Sequence, residues 1–424
     1  MQIHDIAEML GLQEFYVSGI HKIRDDAGKI KEIHIRIRPI NPKQKCPCCG
    51  GSDVNKKGKN GHRKIKHLDI AGRGASLIIP NIRLMCNTCG VCYGYTCDLV
   101  EGKERYTRAF KAFVYEIAIG STVEHSAYIA GIPYTTAERF FKEIAQQIAK
   151  QTTEQVQNQA YESKKLILGI DDFSIRKGHN YNTGIHDLRG ECLIGLAQGR
   201  TLSELDEYMI NNPLIAELNP HAIVMDLAQS YRSFATKYFP NAIIVADRFH
   251  VNRFILDALD SVRKRIQVTL SPKDRATLKR NKNLLRKRND DLNEEQHKQL
   301  EAILAYSNNL NATYRLKEML IDRYDLSFNY DTALVGYQRW LEYGMALNIP
   351  EVNIALKAFC SHQDVITNYH RCRFTNGIVE GRNGKIKALQ RRHFFLRNRS
   401  FYEALIFIDC NRELAREQFS LFSA

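Results

Sequence analysis

The stretch Leu166-Ile167-Leu168-Gly169-Ile170-Asp171-Asp172 decides the fold of this chain. An apolar run of strand length without polar alternation reads as a strand buried on both faces, and this one ends in two aspartates. Working outward, residues 181–187 and 191–197 can pair as a hairpin around Arg189-Gly190. A helix over about 203–210 follows, then the strand Ala222-Ile223-Val224-Met225, which ends in Asp226. After another helical stretch, Ala242-Ile243-Ile244-Val245-Ala246 ends in Asp247. Three antiparallel strands, then helix, strand, helix, strand is the order of an RNase H-like α/β core. Such open sheets place their sites at strand carboxyl ends, so Asp171 and Asp226 are expected side by side.

Composition narrows the partners. The chain has 424 residues, with 61 Lys+Arg against 47 Asp+Glu and a formal net charge of +14. A protein this large and basic is expected to seek a polyanion, with double-stranded DNA the first candidate. No apolar run is long enough to span a bilayer, and the amino terminus has no signal-peptide pattern. The expected location is therefore cytoplasmic, associated with the nucleoid, with no membrane partner. Eleven cysteines in such a chain read as thiols or metal ligands rather than disulfides.

Most of those cysteines are clustered. Cys46-Pro47-Cys48-Cys49-Gly50 and Cys86-Asn87-Thr88-Cys89-Gly90 are each a C-x-x-C followed by glycine, a knuckle that wraps tetrahedral Zn²⁺. Cys46, Cys49, Cys86 and Cys89 are the expected structural zinc ligands. Cys48, Cys92 and Cys97 are spectators, although a shifted register would put Cys48 in place of Cys49; reduced thiols without metal are the competing reading. The basic residues His62, Arg63, Lys64, Lys66 and His67 and a strand-like run over 75–85 complete a zinc ribbon with a basic surface. Three helices are expected next, over 105–119, from about 123, and over 135–150, with Thr135 or Thr136 capping the third. Ala127, four residues before the turn glycine Gly131, fits a helix-turn-helix whose third helix enters the major groove; a plain helical hairpin competes with it.

From 249 to about 363 the strands disappear into a charged helical block. Its basic runs, Arg263-Lys264-Arg265 and the stretch from Lys279 to Arg288, read as solvated faces that also suit a duplex backbone. The block interrupts the core, which resumes at Thr375-Asn376-Gly377-Ile378-Val379-Glu380-Gly381-Arg382-Asn383-Gly384-Lys385-Ile386-Lys387. If this stretch is helical, Glu380, Asn383 or Gly384, and Lys387 share one face. Three carboxylates gather in a basic protein only where divalent cations neutralise them. Asp171, Asp226 and Glu380 therefore form a candidate catalytic site for Mg²⁺, or Mn²⁺ in its place, acting on a phosphodiester.

Neighbouring residues leave choices open. Asp172 could replace Asp171 as the ligand, and Asp226 could instead cap the following helix. Asp247 either joins the site or caps a helix, and His250 either touches a phosphate or simply packs. Asn383 is a candidate for the same pocket. Arg176, Lys177, His179 and Tyr181 could grip DNA near the scissile bond, with Lys387, Arg391 and Arg392 as further DNA-binding candidates.

Taken together these motifs resemble the transposases of the bacterial insertion-sequence family called ISL-three, within the DDE superfamily. The likeness spans most of the chain, from the Cys-x-x-Cys pairs and the helix-turn-helix onward. It continues through Gly169-Ile170-Asp171-Asp172-Phe173 with Arg176-Lys177-Gly178-His179, then Val224-Met225-Asp226, Asp247-Arg248-Phe249-His250 and Asn376-Gly377-x-x-Glu380-Gly381-x-Asn383. The resemblance implies that Asp171, Asp226 and Glu380 are the DDE triad and Lys387 its basic companion. It also implies that the amino-terminal modules bind terminal inverted repeats, and that a homodimer or higher oligomer pairs two ends before joining them to target DNA. The expected division is 1–100 with the zinc ribbon, 101–160 helix-turn-helix, 161–250 first part of the core, 251–365 helical insertion, and 366–424 second part of the core. A catalytically silent DNA-binding regulator and a structure-selective nuclease are the alternatives; the intact triad argues against the first, the two recognition modules against the second.

Overall fold

A computed structural model describes residues 7–8, 10–176, 180–392 and 398–423. The chain is a mixed α and β protein that divides into two compact units, 1–149 with 413–424, and 150–412.

The first unit is built on a sheet of β1 (Phe15–Arg24), β2 (Ile30–Pro39), β3 (Val54–Ile70), β4 (Arg73–Cys86) and β5 (Cys92–Gly94). Its order is β1-β2-β4-β3, with β5 on β4. Alternation explains the inward face of β2, where Ile35 and Ile37 are buried while Arg36 and Arg38 face out, and β4 adds Leu77 and Ile79 from a mostly buried apolar run. Three helices follow. Thr107 caps Arg108–Gly120 and Thr122 caps Val123–Ala130, which Gly131 closes in the left-handed conformation at φ 58°. The third, Tyr134–Glu162, starts one residue earlier than the sequence suggests, so Thr135 and Thr136 lie inside its first turn rather than capping it. Phe110, Val114, Ala127, Ala130, Ala137 and Phe140 form the small core between these helices.

The second unit carries β6 (Ile167–Arg176), β7 (Asn180–Asp187), β8 (Cys192–Gln198), β9 (Ala222–Met225) and β10 (Ile243–Ala246), ordered β10-β9-β6-β7-β8. β9 runs parallel to both β6 and β10, whereas β6, β7 and β8 are antiparallel. The expectation that β6 ends in Asp171-Asp172 is corrected. What stops at Ile170 is its pairing with β9; pairing with β7 carries the strand on to Arg176. Helices fill the span from Arg248 to Cys372 and share one apolar core with β9 and β10, in which Trp340, Tyr337, Leu316 and Val245 are buried.

In the run Arg263-Lys264-Arg265, Arg263 is buried on Asp260, whereas Lys264 and Arg265 stay exposed while pairing with Asp260 and Glu351. The chain closes in two helices, Arg399–Cys410 and Arg412–Ser423. Asn411 parts them because its side chain accepts from Leu193 N–H (2.7 Å) and donates to the Leu193 carbonyl (3.0 Å). No described helix is long and apolar enough to cross a membrane.

Candidate active site

Register brings the first two aspartates together. Ile170 pairs with Met225 on parallel strands, so Asp171 and Asp226 follow side by side. Alternation then separates Asp171 from Asp172. The Asp172 carboxylate accepts from the Tyr231 hydroxyl at 3.2 Å and lies 3.5 Å from Arg200. Asp171 instead accepts from the Asn383 amide at 2.9 Å. Burial, reinforced by the nearby Asp172 charge and only partly offset by the Asp172 N–H, pushes the Asp171 carboxyl up to about 6.

His250 links the remaining acids. The Arg248–Thr269 helix starts directly after β10, and its first turn aims His250 Nδ1 at Asp226 Oδ1, 2.9 Å away. Burial alone would raise Asp226, but this histidine and the Leu227 N–H hold its carboxyl below the usual range. The same hydrogen bond raises His250, and the charges of Asp247 and Asp171 add to it. Asp247, His250 and Glu380 present ligand atoms within 4.8 Å of one another. Asp247 is only 2% exposed and makes no side-chain cap to the helix it precedes. Its carboxylate accepts from the Asn376 N–H at 2.9 Å, yet burial still leaves it raised. Glu380 is raised as well, by desolvation first and then by the Asp247 charge.

The Gly377–Arg392 helix thus meets the sheet through a graded stripe: Glu380 exposed, Asn383 buried on Asp171, Lys387 exposed. Arg391 and Arg392 lie exposed in its last turn. The structure describes no side chain for Arg176, and Lys177 and His179 fall outside the described residues.

Two residues whose roles the sequence left unassigned, Asn376 of the quoted motif and Arg382, position the site. Asn376 donates through Nδ2 to the Ile170 carbonyl (3.0 Å) and through its backbone to Asp247, tying the Glu380 helix to β6 and to the end of β10. Gly169 makes room for this: a Cβ there would lie 2.6 Å from Leu188 and 2.9 Å from Asn376 Oδ1. Arg382, buried on the same helix, bonds His186 Nδ1 at 3.2 Å and the Glu191 carbonyl. Burial first, and then the Arg382 charge, push His186 down to about 3, so the imidazole stays neutral and accepts from the guanidinium. For Arg382, a polar residue on the apolar face of its helix was the available signal.

In the first unit, Cys46 Sγ lies 3.6 Å from Cys89 Sγ, Cys49 Sγ lies 3.6 Å from Cys86 Sγ, and all four fall within 4.8 Å. The knuckles are twins: Gly50 donates to the Cys46 carbonyl and Gly90 to the Cys86 carbonyl, each at 2.9 Å and each with φ 72°. Backbone N–H groups of the knuckles, the Cys89 N–H on Cys86 and the Cys49 N–H on Cys46, hold those two thiols down, while crowding by the other sulfurs raises Cys49 and Cys89. Cys48, Cys92 and Cys97 stay outside the cluster. Four convergent thiols fit a structural zinc ion.

A four-cysteine zinc ribbon in one unit and a cluster of acids about a histidine in the other define a basic, ribbon-bearing protein. Comparison with known proteins narrows that class. Residues 168–406 match the ISL3 transposase family, and residues 42–89 match the zinc finger of the transposases of IS204, IS1001, IS1096 and IS1165. The chain belongs to the ISL3 family of transposases. It is 23% identical over 405 residues to the transposase for insertion sequence element IS1001 of Bordetella parapertussis, covering 94% of this chain and 96% of the relative. It is also 27% identical over 256 residues to the transposase for IS1557 of Mycobacterium tuberculosis, covering 54% of this chain and 57% of that protein.

Proposed function

We propose that this protein is the transposase of an insertion sequence: it binds the terminal inverted repeats, cleaves DNA there and transfers the strand to a target, using Asp171, Asp226 and Glu380. The observation that carries the reading is the convergence of Asp226, Asp247 and Glu380 on His250, with Asp171 in the neighbouring strand register. Three of these four carboxyls are pushed up by burial, the state expected of acids that await a cation. Asp171, Asp226 and Glu380 would hold Mg²⁺ or Mn²⁺, with Asp247 close at hand; the ion would supply Lewis acidity for in-line displacement at phosphorus. Asn383 orients the Asp171 carboxylate, Asn376 fixes Asp247 and the start of the Glu380 helix, and His250 holds Asp226.

The strand order β10-β9-β6-β7-β8, with β9 and β10 parallel to β6, supports an RNase H-like core. The short Val123–Ala130 helix, its Gly131 turn and the long helix after it support a helix-turn-helix, and with the ribbon they would read the DNA ends. On this reading 1–100 and 101–160 recognise DNA, 161–250 and 366–424 form the catalytic core, and 251–365 is inserted within it. Pairing of two ends calls for a dimer or larger assembly.

The test is a cleavage and strand-transfer assay on a labelled duplex carrying the inverted repeats that flank the gene, with Mg²⁺, Mn²⁺ or EDTA. Metal-dependent products from the wild type, absent with Asp226→Asn, are expected. Specific end binding without product in either metal would point to a DNA-binding regulator.

A further inference from the structure

We propose that Phe249 is a stacking platform for an unpaired nucleobase beside the scissile phosphate, with Arg253 holding the adjoining phosphate; this rests on the acidic site described above. A lone exposed phenylalanine carries no message. This one is 58% exposed between the two site residues Asp247 and His250, where burial would have stabilised it. Its flanking arginine shows how the first turn sorts its side chains. Arg248 turns inward to pair with Asp325 at 2.8 Å over the Tyr324 ring, which leaves Phe249 on the outer side.

The ring is nonetheless placed. Its centroid lies 5.6 Å from that of His250 at an interplanar angle of 82°, an edge-to-face contact that steadies one flank. His250 in turn sits 2.9 Å from Asp226, so the aromatic stands one ring away from the carboxylates. Arg253 follows one helical turn after Phe249 on the same face. Its side chain is 63% exposed, and its ion pair with Asp257 is long at 3.5 Å. An aromatic face, a cation and a carboxylate cluster on one surface match the parts of a single nucleotide at the cleavage point: base, flanking phosphate and reacting phosphate. In an intact duplex each base is stacked on both sides, so only a base drawn out of the helix can lie on Phe249.

The experiment compares cleavage of a duplex carrying the flanking inverted repeats, paired throughout, with the same duplex mismatched at the nucleotides bordering the cleavage point. Phe249→Ala and Phe249→Leu are expected to slow cleavage of the paired duplex about tenfold to a hundredfold. They should bind the ends as the wild type does and recover to within a few-fold of it on the mismatched duplex, while Phe249→Trp keeps activity on both. Wild-type cleavage of the paired duplex by Phe249→Ala would overturn the proposal, and so would an equal loss on both duplexes. Asp226→Asn run alongside separates the two readings. Cleavage retained there removes the acidic site and this inference together; its loss beside an active Phe249→Ala removes the inference alone.

Discussion

Asp171 is a cost to the metal-free protein. Its folded-state carboxyl is pushed up to about 6 from an ordinary value of 3.8. A raised acid penalises the folded state fully above the folded value; the penalty fades as pH falls from there to the unfolded value and is gone below it. In EDTA at pH 8, Asp171→Asn should therefore stabilise the protein by about 2 kcal/mol, a few degrees of melting temperature, while abolishing cleavage. The gain should vanish below about pH 4; an unchanged melting temperature at pH 8 would mean the carboxylate is already compensated. Glu32 has the opposite sign. Burial would raise it, but Lys64 at 2.8 Å, Ser76 at 2.7 Å and His34 at 3.1 Å pull it down to about 2. Its contribution is present above the unfolded value of 4.5 and lost as pH falls toward 2. Allowing for solvent screening, Glu32→Gln should cost about 1 kcal/mol at neutral pH and nothing near pH 2, as read by urea unfolding.

At the scale of elements, sequence legibility followed how local the determining forces are. β9 and β10 were plain as apolar runs closed by aspartates, because strands buried on both faces need no partner to announce them. The true length of β6 was not, since its polar half is held by β7 rather than by its own side chains. The break at Asn411 was equally hidden: its amide pairs with Leu193, more than two hundred residues away. In the pocket, the carboxylates and His250 were legible as residues. That Asp247 and His250 stand with Glu380 was left open by the sequence, because their meeting depends on Asn376, Arg382 and Gly169 bringing one helix onto the sheet. The zinc ribbon was the most local feature and the clearest. Because structural zinc is bound only by the folded knuckle, chelation should strip amide protection from residues 46–94 and leave β6–β10 protected. Hydrogen exchange with and without chelator reads this directly, and retained protection around both knuckles would rule out a structural role for the metal.

Across the whole molecule, the acidic pocket is assembled from segments far apart in sequence: β6, the end of β9, the helix after β10 and the Gly377–Arg392 helix. The helical block that separates the last two is no loose appendage, since its core is continuous with that of β9 and β10. A formal charge of +14 brings the chain to DNA without regard to sequence, and the acids then form a local negative pocket within a basic protein. Binding and chemistry should therefore separate cleanly on mutation. The most direct test is Glu380→Gln, measured for affinity to the inverted-repeat ends and for Mg²⁺-dependent cleavage of the same duplex. The expected result is unchanged end binding with cleavage reduced at least a thousandfold, on the order of 4 kcal/mol of lost transition-state stabilisation. Cleavage at the wild-type rate in that variant would remove Glu380 from the active site and contradict the account.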